Sequence, residues 1–109
     1  MTPAQTILDL LKQHPDTLLE WGYNTPTEFP DGLKYWVNTT AYHPGWVRVI
    51  YDDAEGCYFI KASETEYGFY QEVGFVQEDE LFEVLDKLVH EGFTDEEVEE
   101  IRRRWWSKP

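Results

Sequence analysis

Polar and apolar positions change their spacing twice along the chain. Over the first stretch Ala4, Ile7, Leu8 and Leu11 recur at three- and four-residue intervals, which is the spacing of one face of an α-helix. Thr2 followed by Pro3 predicts an N-cap and a first helical residue, and Pro15 predicts the end of that helix, because proline lacks the amide that would continue the hydrogen-bond ladder. "HPDTLLEWG" predicts a second short helix, opened by Pro15 and closed by Gly22, since glycine reaches the left-handed C-terminal conformation without a side-chain clash. "TPTEFPDG" carries a Thr25/Glu28 capping-box pattern. It predicts one more helical turn, stopped by Pro30, and then a turn at Asp31-Gly32.

From Leu33 the period becomes two. Leu33, Tyr35, Val37, Thr39 and Ala41 take one face of a strand, and Lys34, Trp36, Asn38, Thr40 and Tyr42 take the other. "HPG" at 43–45 marks a turn, after which Val47, Val49 and Tyr51 lie opposite Trp46, Arg48 and Ile50. "DAEG" makes the next turn, and "CYFIKAS" and "FYQEVGFVQ", separated by "ETEYG", complete a meander of about four strands. Short polar turns between such runs favour antiparallel pairing.

The helical period then returns. Taking the helix from Glu78, Leu81, Val84, Leu85 and Leu88 form an apolar stripe that Gly92 closes, which leaves Glu80, Glu83, Asp86 and Lys87 outward. Thr94 and Glu97 form a second capping box, with Phe93 and Val98 as its hydrophobic staple. Val98, Ile101 and Trp105 give the last helix its buried face, and Arg102, Arg103 and Arg104 fill its last turn, where cations oppose the helix dipole. Glu99 with Arg103 and Glu100 with Arg104 stand four residues apart in the favourable order. The pattern predicts one α+β domain over residues 1–109, an antiparallel meander flanked by N-terminal helices and a C-terminal helical hairpin.

Composition agrees with a packed globule, at 41% hydrophobic and 17% aromatic residues over 109 positions, enough for one core without cross-links. The single cysteine, Cys57, excludes an internal disulfide and a paired-cysteine metal site, and its apolar neighbours predict a buried structural thiol. The N-terminus lacks the basic start and long apolar run of a signal peptide, and no segment approaches the roughly 18 apolar residues of a membrane span. A cytoplasmic location and no membrane partner are the expectation, so Asn38 in "NTT" is only formally a glycosylation site.

Charge changes the picture more. The net charge is −13, of which residues 52–100 carry −15 and residues 101–109 carry +4. Such a field repels nucleic acid and anionic membranes and speeds encounter with basic surfaces, so no direct nucleic-acid partner is expected. Lys87 is the only lysine or arginine between Glu78 and Glu100, whereas a face charged only for solubility usually mixes signs.

No catalytic or cofactor signature is present. His14 and His43 precede prolines at turns and His90 lies in the last turn of a helix, and neither a GxSxG nor an HExxH motif appears. "YDDAEGCYFIKA" resembles a calcium loop, but with Gly56 at the sixth position Tyr51 and Ala62 stand where acids belong. Neither a metal nor a cofactor is predicted. The aromatic surplus includes Trp36 and Trp46 on the second face of the strands, exposed if helices cover one face alone, and exposed aromatics anchor protein interfaces.

The expectation is a small non-enzymatic binding protein. Its class would be an inhibitor of the immunity or phage and plasmid anti-defence kind, in which Glu78, Asp79, Glu80, Glu83, Asp86, Glu96, Glu99 and Glu100 imitate a polyanion. The partner would be a basic protein surface, on a nuclease or nucleic-acid-binding protein, with Trp36 and Trp46 as anchors, and an aromatic centre with an acidic rim is one arrangement of these residues. The alternatives are a housekeeping domain of a mobile element whose charge serves solubility, and a small enzyme with a dispersed histidine and carboxylate site.

Overall fold

A computed structural model describes residues 2–38, 45–63 and 71–107 of the chain. The elements are α1 (Pro3–Lys12), α2 (Pro15–Trp21), β1 (Asn24–Phe29), β2 (Gly32–Val37), β3 (Gly45–Asp52), β4 (Cys57–Ser63), β5 (Gln71–Val76), a 3-10 turn (Glu78–Glu80), α3 (Leu81–His90) and α4 (Asp95–Trp106). The strands lie in the order β1-β2-β3-β4-β5, every neighbouring pair antiparallel. The fold is α+β, with the helices at both ends of the chain packed on a five-stranded meander.

The caps of α1 and α2 form where the sequence predicts them. The Thr2 side chain accepts the Gln5 amide, and Gly22 closes α2 at φ 68°. The predicted ends of the first long strand (39–42), the "HPG" turn at 43–44, the "ETEYG" turn and the start of the last strand at 69–70 lie outside the described residues.

The fifth strand is the main departure. Residues 24–29, expected to make a helical turn on the Thr25/Glu28 pattern, form β1 against β2 with an irregularity between Asn24 and Thr27. Thr25 sits at φ 55°, and Pro26 is tolerated because an edge strand leaves one side of its ladder unpaired. Phe29 then rests under two cations, Lys34 at 5.8 Å and Arg48 at 4.6 Å from its ring. That tertiary contact outweighs the local capping pattern. Consequently Pro30 and Asp31 form the hairpin turn, and Gly32 begins β2, where a side chain would run into the Val49 carbonyl.

One face of the sheet is dry. Leu33 and Tyr35 from β2, Val49 from β3, Ile60 from β4 and Val73 from β5 are fully buried, together with Ile7 and Leu11 of α1, Trp21 of α2, and Leu81 and Leu85 of α3. Trp21 joins the helices, stacking at 5.6 Å on Phe82 and donating its Nε1–H to Asp86 Oδ1 at 3.0 Å. β5 carries a bulge. Tyr58 pairs with Val76 and Ile60 with Val73, so Gly74 and Phe75 together face Phe59. Phe75 takes φ 59°, a position rare for a bulky residue. Its ring reaches Phe59 at 5.1 Å and Trp106 of α4 at 5.6 Å, fastening the end of that helix to the sheet edge.

Candidate partner-binding site

The acidic segment folds as an antiparallel helical pair whose ends are bolted by ions. The Gln77 amide donates to Glu80 at 3.1 Å, closing a capping box on the 3-10 turn, and Glu80 also meets Arg104 of α4 at 3.7 Å. At the other end Lys87 pairs with Glu97 at 2.8 Å, donates to the Gly92 carbonyl at 3.1 Å and lies over the Phe93 ring at 4.6 Å. Gly92 closes α3 at φ 75°, and Thr94 and Glu97 exchange both bonds of their capping box. The Lys87 bond, and then the Thr94 amide, hold the Glu97 carboxyl below its usual 4.5.

Between the two bolts runs a shallow groove of about 370 Å³. Val84, Phe93 and Ile101 supply its apolar surface, while Glu83 and Glu100 line its middle. Glu83 is exposed and makes no ion pair among the described residues. Among the described residues Glu100 pairs only with Arg103 on its own helix, at 3.2 Å with both side chains open to water. The arrangement suits a long cationic side chain, with its aliphatic stem on Val84 and Ile101 and its head among carboxylates.

The predicted acids fall into two groups. Asp79 and Glu96 are exposed like Glu83, and Asp95 beside them is exposed too. Glu99 pairs with Arg102 at 3.8 Å. The arginine pairs are thus three residues apart, where four was expected, because Arg104 is drawn across the hairpin to Glu80. Three acids have structural duties. Glu78 accepts the Tyr58 hydroxyl at 3.1 Å, Glu80 caps the 3-10 turn, and Asp86 is half-buried under Trp21 and His90. The expectation that Glu80 and Asp86 simply point outward is therefore corrected. Burial and the Glu78 bond together push the Tyr58 hydroxyl well above its ordinary value.

Trp36 and Trp46 are held together, edge to face at 5.2 Å, but on the opposite side of the sheet from the helices. The acids and these tryptophans do not share one surface. The tryptophans are half-buried, Trp36 donating to Asn38 at 2.9 Å and Trp46 lying under Lys34 at 5.0 Å. Trp105 packs near Phe75, and Trp106 is 62% exposed.

The histidines and the cysteine have architectural surroundings. His14 stacks on Phe82 at 3.6 Å, and His90 Nε2 stands 2.8 Å from Glu20 and 3.2 Å from Asp86, tying α2 to α3. His43 lies outside the described residues. Cys57 is buried, and burial first, then Asp52 and Glu55, push its thiol up, the reverse of an activated nucleophile. Asp52 accepts the amides of Ala54 and Glu55 and so shapes a turn. Among the described residues no three ligand-type side chains cluster as a metal site, and no helix is long and apolar enough to cross a membrane.

Sequence reasoning missed the groove's apolar surface and a row of cations on the open sheet face. Lys34 pairs across strands with Arg48, and Arg48 with Lys61. Period-two spacing alone assigns Lys34 and Arg48 to outward faces; their alignment depends on register, which the turn lengths set. No protein-family model, curated protein or solved structure matches the chain.

Proposed function

We propose that the protein is a non-enzymatic binding protein that captures a basic protein surface through the α3–α4 hairpin. The observation supporting this reading is the groove with bolted ends and an acidic middle, flanked by the exposed carboxylates Asp79, Asp95 and Glu96. Electrostatic steering brings the partner in. An arginine or lysine of the partner then lies on Val84 and Ile101, with its head between Glu83 and Glu100. A nuclease or other nucleic-acid-binding protein offers such a surface, and a face that presents carboxylates where phosphates would lie blocks it. The natural class is an inhibitor.

The test is capture of host proteins on immobilised protein at low salt and at about 1 M, where the screening length falls to about 3 Å. Wild type is compared with Glu83→Lys/Glu96→Lys, two exposed positions whose side chains make no hydrogen bond among the described residues. One basic protein held at low salt, released at high salt and lost by the variant is the expected outcome. Capture unchanged in the variant would remove the hairpin from the reading. No specific protein at either salt would remove the reading itself.

A further inference from the structure

The two bolts of the hairpin fix the register in which its walls face one another. Seven positions lead from Glu80 to Lys87 on one wall, and seven lead from Arg104 back to Glu97 on the other, a rise of about 10 Å along each. Carried into the middle, that antiparallel register sets Glu83 opposite Ile101 and Glu100 opposite Val84. Each carboxylate therefore faces an aliphatic side chain, and the two carboxylates rise from opposite walls of the groove. The basic residues that line the groove, Lys87 and Arg104, are both engaged in the bolts.

The two middle acids are open to a new partner. Glu83 is exposed, and among the described residues it makes neither an ion pair nor a hydrogen bond. Glu100 meets Arg103 through a pair that lies open to water, and pairs of that kind contribute little. Glu100 can turn from it to a cation entering the groove at small cost.

Arginine and lysine meet such a place differently. A guanidinium is planar, with five donors in its plane and weakly hydrated faces. It can lie flat on Val84 and Ile101 while its edges donate to carboxylates on both walls, and such charge-assisted bonds are the strong ones. An ammonium is compact and strongly hydrated; over an aliphatic floor it gives up water and reaches one wall. Lys87 shows what an ammonium needs at the groove's end, where a carboxylate, the Gly92 carbonyl and the Phe93 ring all meet it. The middle offers aliphatic groups in place of that carbonyl and ring.

We propose that the groove selects arginine over lysine, so that the partner is recognised through one arginine of its basic surface. The inference rests on the proposed function, in which the hairpin captures such a surface, and adds the side chain that the groove takes. Steering by net charge treats the two residues alike, so the preference belongs to the groove.

The test uses the full chain and two fluorescently labelled peptides of equal charge, each with four lysines around a central guest position that holds arginine or lysine. The arginine peptide should bind about tenfold tighter. Glu83→Gln and, separately, Glu100→Gln should bring the two affinities together. Glu96→Gln, exposed and outside the groove lining, should weaken both peptides alike and keep their ratio, which separates loss of the groove from loss of charge. Equal binding of the two peptides to the wild-type protein would overturn the inference and leave the proposed function standing. A preference that survives both Glu83→Gln and Glu100→Gln would overturn it by placing the arginine elsewhere. Absence of saturable binding by either peptide would overturn the inference and the proposed function together.

Discussion

The two faces of the one sheet obey the same alternation and are finished in different ways. On the covered face Leu33, Val49, Ile60 and Val73 meet helical aliphatics and no water. On the open face Lys34 and Arg48 spread over Phe29 and Trp46, so cations do part of the shielding that helices do on the other side. The first solution stabilises by burial. The second stabilises less and leaves a face that other molecules can approach, which is where interaction surfaces belong. The hairpin repeats the contrast on a smaller scale, with Leu85 and Ile101 turned inward and Glu83 and Glu96 outward.

The sharpest way to break this contrast is a matched truncation. Leu85→Ala, at a fully buried site, should cost about 2–5 kcal/mol in urea unfolding. Ile50→Ala on the half-buried open face should cost about half as much or less; equal losses would mean that the open face is packed as a core. Next in size is Asp86→Lys, which leaves the buried Trp21 indole N–H without its acceptor and should lower stability by about 1–3 kcal/mol. An unchanged unfolding midpoint there would return Asp86 to the purely outward class.

The Glu97 bolt sharpens the comparison by pH. Its carboxyl is held below 4.5 by Lys87 and the Thr94 amide, so the folded state binds that proton less readily than the unfolded chain. The stabilisation is fully present above 4.5 and is lost as pH falls through the lower folded value. Glu97→Gln should therefore melt earlier than wild type at neutral pH, the gap closing in acid; a gap constant with pH would show that charge is not what fastens the hairpin. Smallest of all, Glu83→Lys should move stability by no more than about 0.5 kcal/mol, as exposed positions without contacts do, while abolishing capture of the basic partner.

What could be read in advance was what depends on neighbours in sequence. Thr94, Glu97 and Gly92 lie within six residues of one another, and their caps form as expected. The Leu81, Val84, Leu85, Leu88 stripe is buried as its spacing implies. The failures are non-local. Thr25 and Glu28 satisfy a capping pattern, yet cations from β2 and β3 draw Phe29 into a strand. Asp86 looked outward because its partner Trp21 is 65 residues away. For the candidate site, Glu83 and Glu96 were legible from helical period alone, whereas the groove between the bolts depends on which residues of α4 meet which of α3. The cation row needed the register of three strands at once.

The neighbour-to-neighbour strand order has a kinetic consequence. Every strand pairs with the one before it, so the sheet can zip up hairpin by hairpin through short loop closures, without a remote segment having to arrive first. The helical layer is different, since α2 and α3 meet only when the two ends of the chain come together at Trp21, Asp86 and His90. That closure spans most of the chain and carries the larger entropic barrier. Amide exchange in the native protein should accordingly release α2 and α3 as one unit while the central strands β2, β3 and β4 remain protected.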